Sequence, residues 1–137
     1  MFQLIARQVR GGTLSALLAS AALMIPALPA VAGQTDSYTL PQQSYNQSRA
    51  RNYKVYVPSN VQSPAPMVMA LHGCKQTNND VLNDWGLKAA ADEYGFILVA
   101  PFITSYDGLR IENCWGFWFD HHRHEGAGEV EDLHQIA

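Results

Sequence analysis

The run Met67-Val-Met-Ala-Leu71, closed by His72-Gly73-Cys74, constrains this chain more than any other stretch. Five apolar residues stand in a row behind Pro64 and Pro66. A continuous apolar run of that length suits a central strand covered on both faces, as in parallel sheets. Gly73 then permits a tight turn and a close backbone approach to a ligand. A second apolar run, Phe96-Ile-Leu-Val-Ala100, is stopped by Pro101. A helical pattern lies between the two runs. Asn78 or Asn79 is placed to cap it, and Asp80 falls in its first turn. Val81, Leu82, Trp85, Ala89 and Asp92 lie along one stripe, which Leu87, Ala90 and Ala91 widen. Gly95 stands where a C′ glycine belongs, so the expectation is one helix to about Tyr94. Strand, helix, strand predicts a βαβ unit with parallel strands and a right-handed crossover.

The flanks fill in an α/β chain. Gln34 to Gln47 suits an edge strand and a turn. Asn52-Tyr-Lys-Val-Tyr-Val57 is rich in β-branched and aromatic residues and reads as a strand ended by Pro58. Ser59 to Pro66 is loop in composition. Phe102 to Gly128 has no regular period, and a loop this long is either functional or covers a site. Glu129 to Ala137 has helical spacing through Val130, Leu133 and Ile136.

The N-terminus reads as a targeting segment. Arg7 and Arg10 precede an apolar stretch, Leu14 to Ala30, broken by Pro26 and Pro29. Ala30-Val31-Ala32 is a small-residue cleavage site, so residues 1–32 are expected to be a secretory signal peptide. Residues 33–137 are then the folded part, exported to the periplasm or the medium, with no stable membrane anchor after cleavage. The whole chain carries a net charge of −3, and removing two arginines makes the rest more acidic. No basic cluster exists, so nucleic acid is not expected as a partner. The two cysteines, Cys74 and Cys114, are expected to pair, because cysteines of exported chains usually do. Closing that loop would contribute roughly 4 kcal/mol in the chain-entropy account.

Several segments together resemble one family. They are Leu71-His-Gly-Cys74 followed by Gln76, Ala90-Ala-Asp-Glu-Tyr-Gly-Phe96 leading to Pro101, Asn113-Cys-Trp115 with Phe117 to Phe119, and Gly126-Ala-Gly-Glu129. In this order and spacing they are similar to secreted poly(3-hydroxybutyrate) depolymerases and related esterases, from about Tyr53 to Ala137. The resemblance implies an α/β-hydrolase fold. Edge strands or a β-hairpin come first, then the parallel βαβ unit, and the chain stops before the nucleophile elbow. It also implies that the backbone N–H of Cys74 faces the oxyanion of a tetrahedral intermediate. The triad Ser, Asp and His would not lie in this chain. The serines end at Ser105, none sits in Gly-x-Ser-x-Gly, and His134 precedes the expected elbow.

Other residues have competing readings. His72 reads as a buried, satisfied histidine beside the turn. Trp115 and Trp118, with Phe117 and Phe119, either line a surface for an apolar ester or pack the long loop onto the sheet. Asp120, His121, His122, His124 and Glu125 include metal-ligand types, but adjacent histidines without helical spacing read as a solvated loop, and no metal or other cofactor is expected. The expected function is a secreted ester hydrolase acting on a polyester or small ester, its nucleophile-bearing half missing here. The alternatives are a non-catalytic remnant or binding module using the aromatic loop 114–119, and a feruloyl or acetyl esterase of the same fold. Oligomeric state is not legible.

Overall fold

Two expected strand segments, 52–57 and 96–100, meet in the middle of one sheet. The computed structural model describes residues 32–103 and 112–137. The expected signal peptide falls almost wholly on residues 1–31, outside the described residues. Strands β1 (Gln34–Leu40) and β2 (Arg51–Val57) form an antiparallel pair running from Gln34↔Val57 to Leu40↔Arg51. Strand β3 spans Met67–Met69 and β4 spans Ile97–Pro101. The sheet order is β1-β2-β4-β3. β4 pairs antiparallel with β2 and parallel with β3, with Met67 opposite Ile97. The parallel βαβ unit is therefore present.

The two apolar runs are not equivalent. β4 is the central strand, and Leu98, Val99 and Ala100 are buried. β3 is shorter than expected and lies at the edge of the described sheet. Met67 and Val68 are 41% and 39% exposed, although successive side chains point to opposite faces. Helices pack over β4, and among the described residues β3 has one neighbouring strand. The expectation of a five-residue central strand at 67–71 is corrected accordingly. Pro101, expected to stop the second strand, is instead its last residue, opposite Tyr53.

The expected single helix is two. α1 spans Asn78–Asp84 and α2 spans Leu87–Tyr94. Gly86 breaks them apart with φ +72, a conformation that costs glycine little. The cap is Thr77, not Asn78 or Asn79. Its hydroxyl accepts the Asn79 N–H at 3.2 Å, and Asp80 accepts the Thr77 N–H at 2.6 Å. Thr77-x-x-Asp80 is thus a capping box. Gly95 ends α2 at φ +73, as its position implied, and donates its N–H to Ala91. Val81, Leu82 and Ala91 pack with Tyr56, Leu98 and Ala100 in the core. Trp85, expected on the buried stripe, falls at the break and is exposed.

The last helix, α3 (Gly128–Ile136), forms as the spacing predicts. It is tied to the hairpin by an ion pair, Arg51 Nε to Asp132 Oδ2 at 2.7 Å, with both side chains buried. Tyr45 Oη donates to Asp132 Oδ1 at 2.6 Å, and Ser48 Oγ donates to the same oxygen at 3.3 Å. Among the described residues no helix is long and apolar enough to cross a membrane.

Candidate functional site

The turn after β3 is built from the backbone outward. In parallel βαβ units, ligands collect at the carboxyl ends of the strands. The turn His72-Gly73-Cys74 occupies that position, between β3 and α1. His72 is 2% exposed. Its Nε2 accepts the Ile103 N–H at 3.1 Å, so that nitrogen carries no proton. Nδ1 therefore holds the hydrogen and donates to the Gly73 carbonyl at 2.8 Å. The ring packs against Phe102 and Trp115, each centroid 5.4 Å away. Burial pushes the His72 pKa down, which favours the neutral ring these bonds require.

Gly73, Gln76 and the His72 carbonyl are also engaged. The Gly73 N–H donates to Gln76 Oε1 at 2.9 Å, and the Gln76 N–H donates back to the Gly73 carbonyl at 3.2 Å. The Trp115 indole N–H donates to the His72 carbonyl at 2.9 Å. Among the described residues the Cys74 N–H has no hydrogen-bond acceptor.

The long loop is fastened to this turn. Cys74 and Cys114 form a disulfide, as expected from their pairing. Lys75 donates its N–H to the Glu112 carbonyl beside it. Trp115 is half-buried against His72, which makes it part of the turn's packing. Phe117 and Trp118 point outward, 70% and 46% exposed, and meet edge to face at 5.0 Å. Of the two tryptophans expected to touch substrate, Trp118 presents an open face and Trp115 supports the turn.

The histidine-rich segment divides in two. Asp120, Arg123 and His124 are exposed. Asp120 pairs with Arg123 at 2.7 Å, and that guanidinium, with His124, holds its carboxyl below the usual range. His122 turns inward and is buried. Its Nδ1 accepts the Glu129 N–H at 3.2 Å, and its Nε2 lies 3.8 Å from Glu129 Oε1. The Glu129 carboxylate also accepts the Gly116 N–H at 2.7 Å, fixing the aromatic loop to α3. Among the described residues no group of three or more His, Cys, Asp or Glu is arranged to hold a metal ion.

Sequence reasoning assigned no part to Gln76 or Glu129, although both stand in the segments that carry the family resemblance. Their side chains accept backbone N–H groups of glycines, at Gly73 and Gly116. A Gln three residues after a glycine, and a Glu just after Gly-x-Gly, were the available signals. A cavity of about 520 Å³ lies elsewhere, along residues 42–51. Its lining is polar, and Arg51 there is committed to Asp132.

Known proteins are similar to this chain in sequence and in fold. Feruloyl esterase B of Neurospora crassa is 35% identical over 71 residues, which cover 52% of this chain and 22% of that protein. An S-formylglutathione hydrolase from Agrobacterium tumefaciens has the same fold, with 20% identity and a TM-score of 0.55. That match covers 76% of this chain and 43% of the hydrolase, so the chain spans less than half the length of the proteins it matches. The fold is that of the α/β-hydrolase esterases, with a mixed sheet and flanking helices. Residues 51–136 match the esterase PHB depolymerase family, and the chain belongs to that family.

Proposed function

We propose that these residues supply the oxyanion side of an exported, serine-type carboxylic ester hydrolase. The observation that supports this reading best is the turn at 72–76, where the Gly73 N–H and carbonyl are both paired and, among the described residues, the Cys74 N–H is left without an acceptor. As an ester carbonyl is attacked, its oxygen gains negative charge. A fixed backbone donor stabilises that charge more than it stabilises the neutral carbonyl, so it lowers the barrier. One such donor is worth about 3–4 kcal/mol of transition-state stabilisation. The reaction proceeds through protein groups and water and calls for no cofactor. The serine, acid and base would come from outside these 137 residues, since no serine here stands in Gly-x-Ser-x-Gly.

The substrate is proposed to be a polyester of the polyhydroxyalkanoate kind, with Trp118 and Phe117 as its apolar contact. A feruloyl or acetyl ester is the second substrate, favoured by the likeness to a feruloyl esterase. A non-catalytic binding module is the competing class, favoured by the exposed aromatic pair. Incubating the 137-residue polypeptide with p-nitrophenyl butyrate is expected to give the background rate. A polypeptide extended by the downstream reading frame is expected to hydrolyse that ester, and then to be ranked on polyester film and methyl ferulate. An inactive extended polypeptide that still binds polyester film would favour the binding module and overturn the hydrolase.

A further inference from the structure

We propose that His72 is the positioning residue that aims the Cys74 N–H outward, acting through the Gly73–Cys74 peptide plane. The inference rests on the oxyanion role proposed for Cys74. It adds a second residue that touches neither substrate nor nucleophile.

The Ile103 N–H is a donor only, so its bond to Nε2 selects the tautomer with the proton on Nδ1. That proton is held on the Gly73 carbonyl, 2.8 Å away. The peptide unit is planar and trans, so the Gly73 carbonyl and the Cys74 N–H point in opposite directions. Fixing the carbonyl toward the buried ring therefore fixes the N–H away from it. Gly73 has no side chain to resist rotation of this plane, so an external hold is needed. The Gln76 N–H adds a weaker one at 3.2 Å. Phe102 and Trp115 both pack against the ring and restrict its turning, and the Trp115 N–H anchors the preceding carbonyl.

Three substitutions separate the two bonds of the ring. In His72→Asn, the amide N–H₂ sits near the place of Nδ1 and can still donate to Gly73. In His72→Gln, the amide oxygen reaches toward Nε2 and can accept from Ile103, but the Gly73 bond is lost. His72→Ala loses both. Amide spectra of the 15N-labelled polypeptide are expected to show Cys74 unmoved in His72→Asn and shifted in the other two. The Ile103 amide should behave in the opposite sense, unmoved only in His72→Gln. In the extended polypeptide, kcat on p-nitrophenyl butyrate should fall by about tenfold or more in His72→Gln and His72→Ala, with KM unchanged, and be largely retained in His72→Asn.

Should the variants fail to fold, the ring 15N spectrum of the unsubstituted protein gives the same decision. Nδ1 must be the protonated nitrogen at neutral pH, and a proton on Nε2 would overturn the proposal. So would a Cys74 amide that shifts equally in all three variants. An extended polypeptide without esterase activity would instead sink the oxyanion reading, and the amide and ring spectra would still decide whether His72 holds Gly73.

Discussion

At the scale of single residues, the buried carboxylate of Asp132 organises more than its own helix. It receives Arg51, Tyr45 and Ser48, which come from the hairpin and the loop within it. Burial, then the bond to Asp132, pushes the Tyr45 hydroxyl from 10.0 up to about 12. A raised folded-state pKa means the fold holds the proton more tightly than the unfolded chain does. The stabilisation is complete below pH 10 and is lost as pH rises from 10 toward 12. Tyr56, bonded to Asp92, is raised in the same direction and adds to the slope. Tyr45→Phe is expected to lower stability by about 2 kcal/mol at pH 8, the worth of a hydrogen bond to a charged group. It should also flatten the alkaline decline, leaving the part due to Tyr56. Denaturant melts of both proteins across the alkaline range check this, and equal slopes would refute it. None of this network was legible beforehand. Arg51 and Asp132 are far apart in sequence, and neither stands in a motif with a chemical reason to be charged.

At the scale of elements, the sequence reading was good where one local rule acts alone. The β2 run, the helical spacing of α3, the Gly95 stop and the parallel βαβ connection follow from periodicity and glycine chemistry. The errors lie where two rules competed. Asn78 and Asn79 are good caps, but Thr77 has Asp80 three residues on, and the reciprocal pair wins. The apolar stripe through Val81, Leu82 and Trp85 suggested an unbroken helix, while Gly86 offers a left-handed break that exposes Trp85. Thr77→Ala tests the cap. It removes the acceptor for the Asn79 N–H and the hydroxyl that donates to Asp80 at 2.7 Å. The expected loss is about 1 kcal/mol. Thr77 also lowers the Asp80 pKa through its hydroxyl and its backbone N–H. A lowered folded-state pKa gives stability that is present above the usual carboxylate range and lost as pH falls through the folded value. The penalty of Thr77→Ala, measured by thermal melts, should therefore shrink in acid, and a pH-independent penalty would argue against the box.

At the scale of the whole molecule, the site is legible as a motif but not as a mechanism. His-Gly-Cys and Asn-Cys-Trp mark the turn and its disulfide, while the hold on the Gly73 carbonyl emerges only once Ile103, Phe102 and Trp115 surround one ring. The same scale exposes an uneven sheet. β4 is covered by strands on both sides, whereas β3 shows Met67, Val68 and the following Leu71 to solvent at about two-fifths of their surface. An apolar strand with one described neighbour presents unpaired backbone groups and side chains suited to another strand. The 137-residue polypeptide is therefore expected to self-associate in size-exclusion chromatography, increasingly with concentration. Val68→Lys places a charge on that edge and should move the population toward monomer without loss of secondary structure. Val99→Lys is the contrasting case. Val99 is 4% exposed in the central strand, and an unpaired ammonium there should unfold the domain. A wild-type polypeptide that stays monomeric at all concentrations, or a Val68→Lys variant that associates as strongly, would mean that β3 is protected by some other part of the chain.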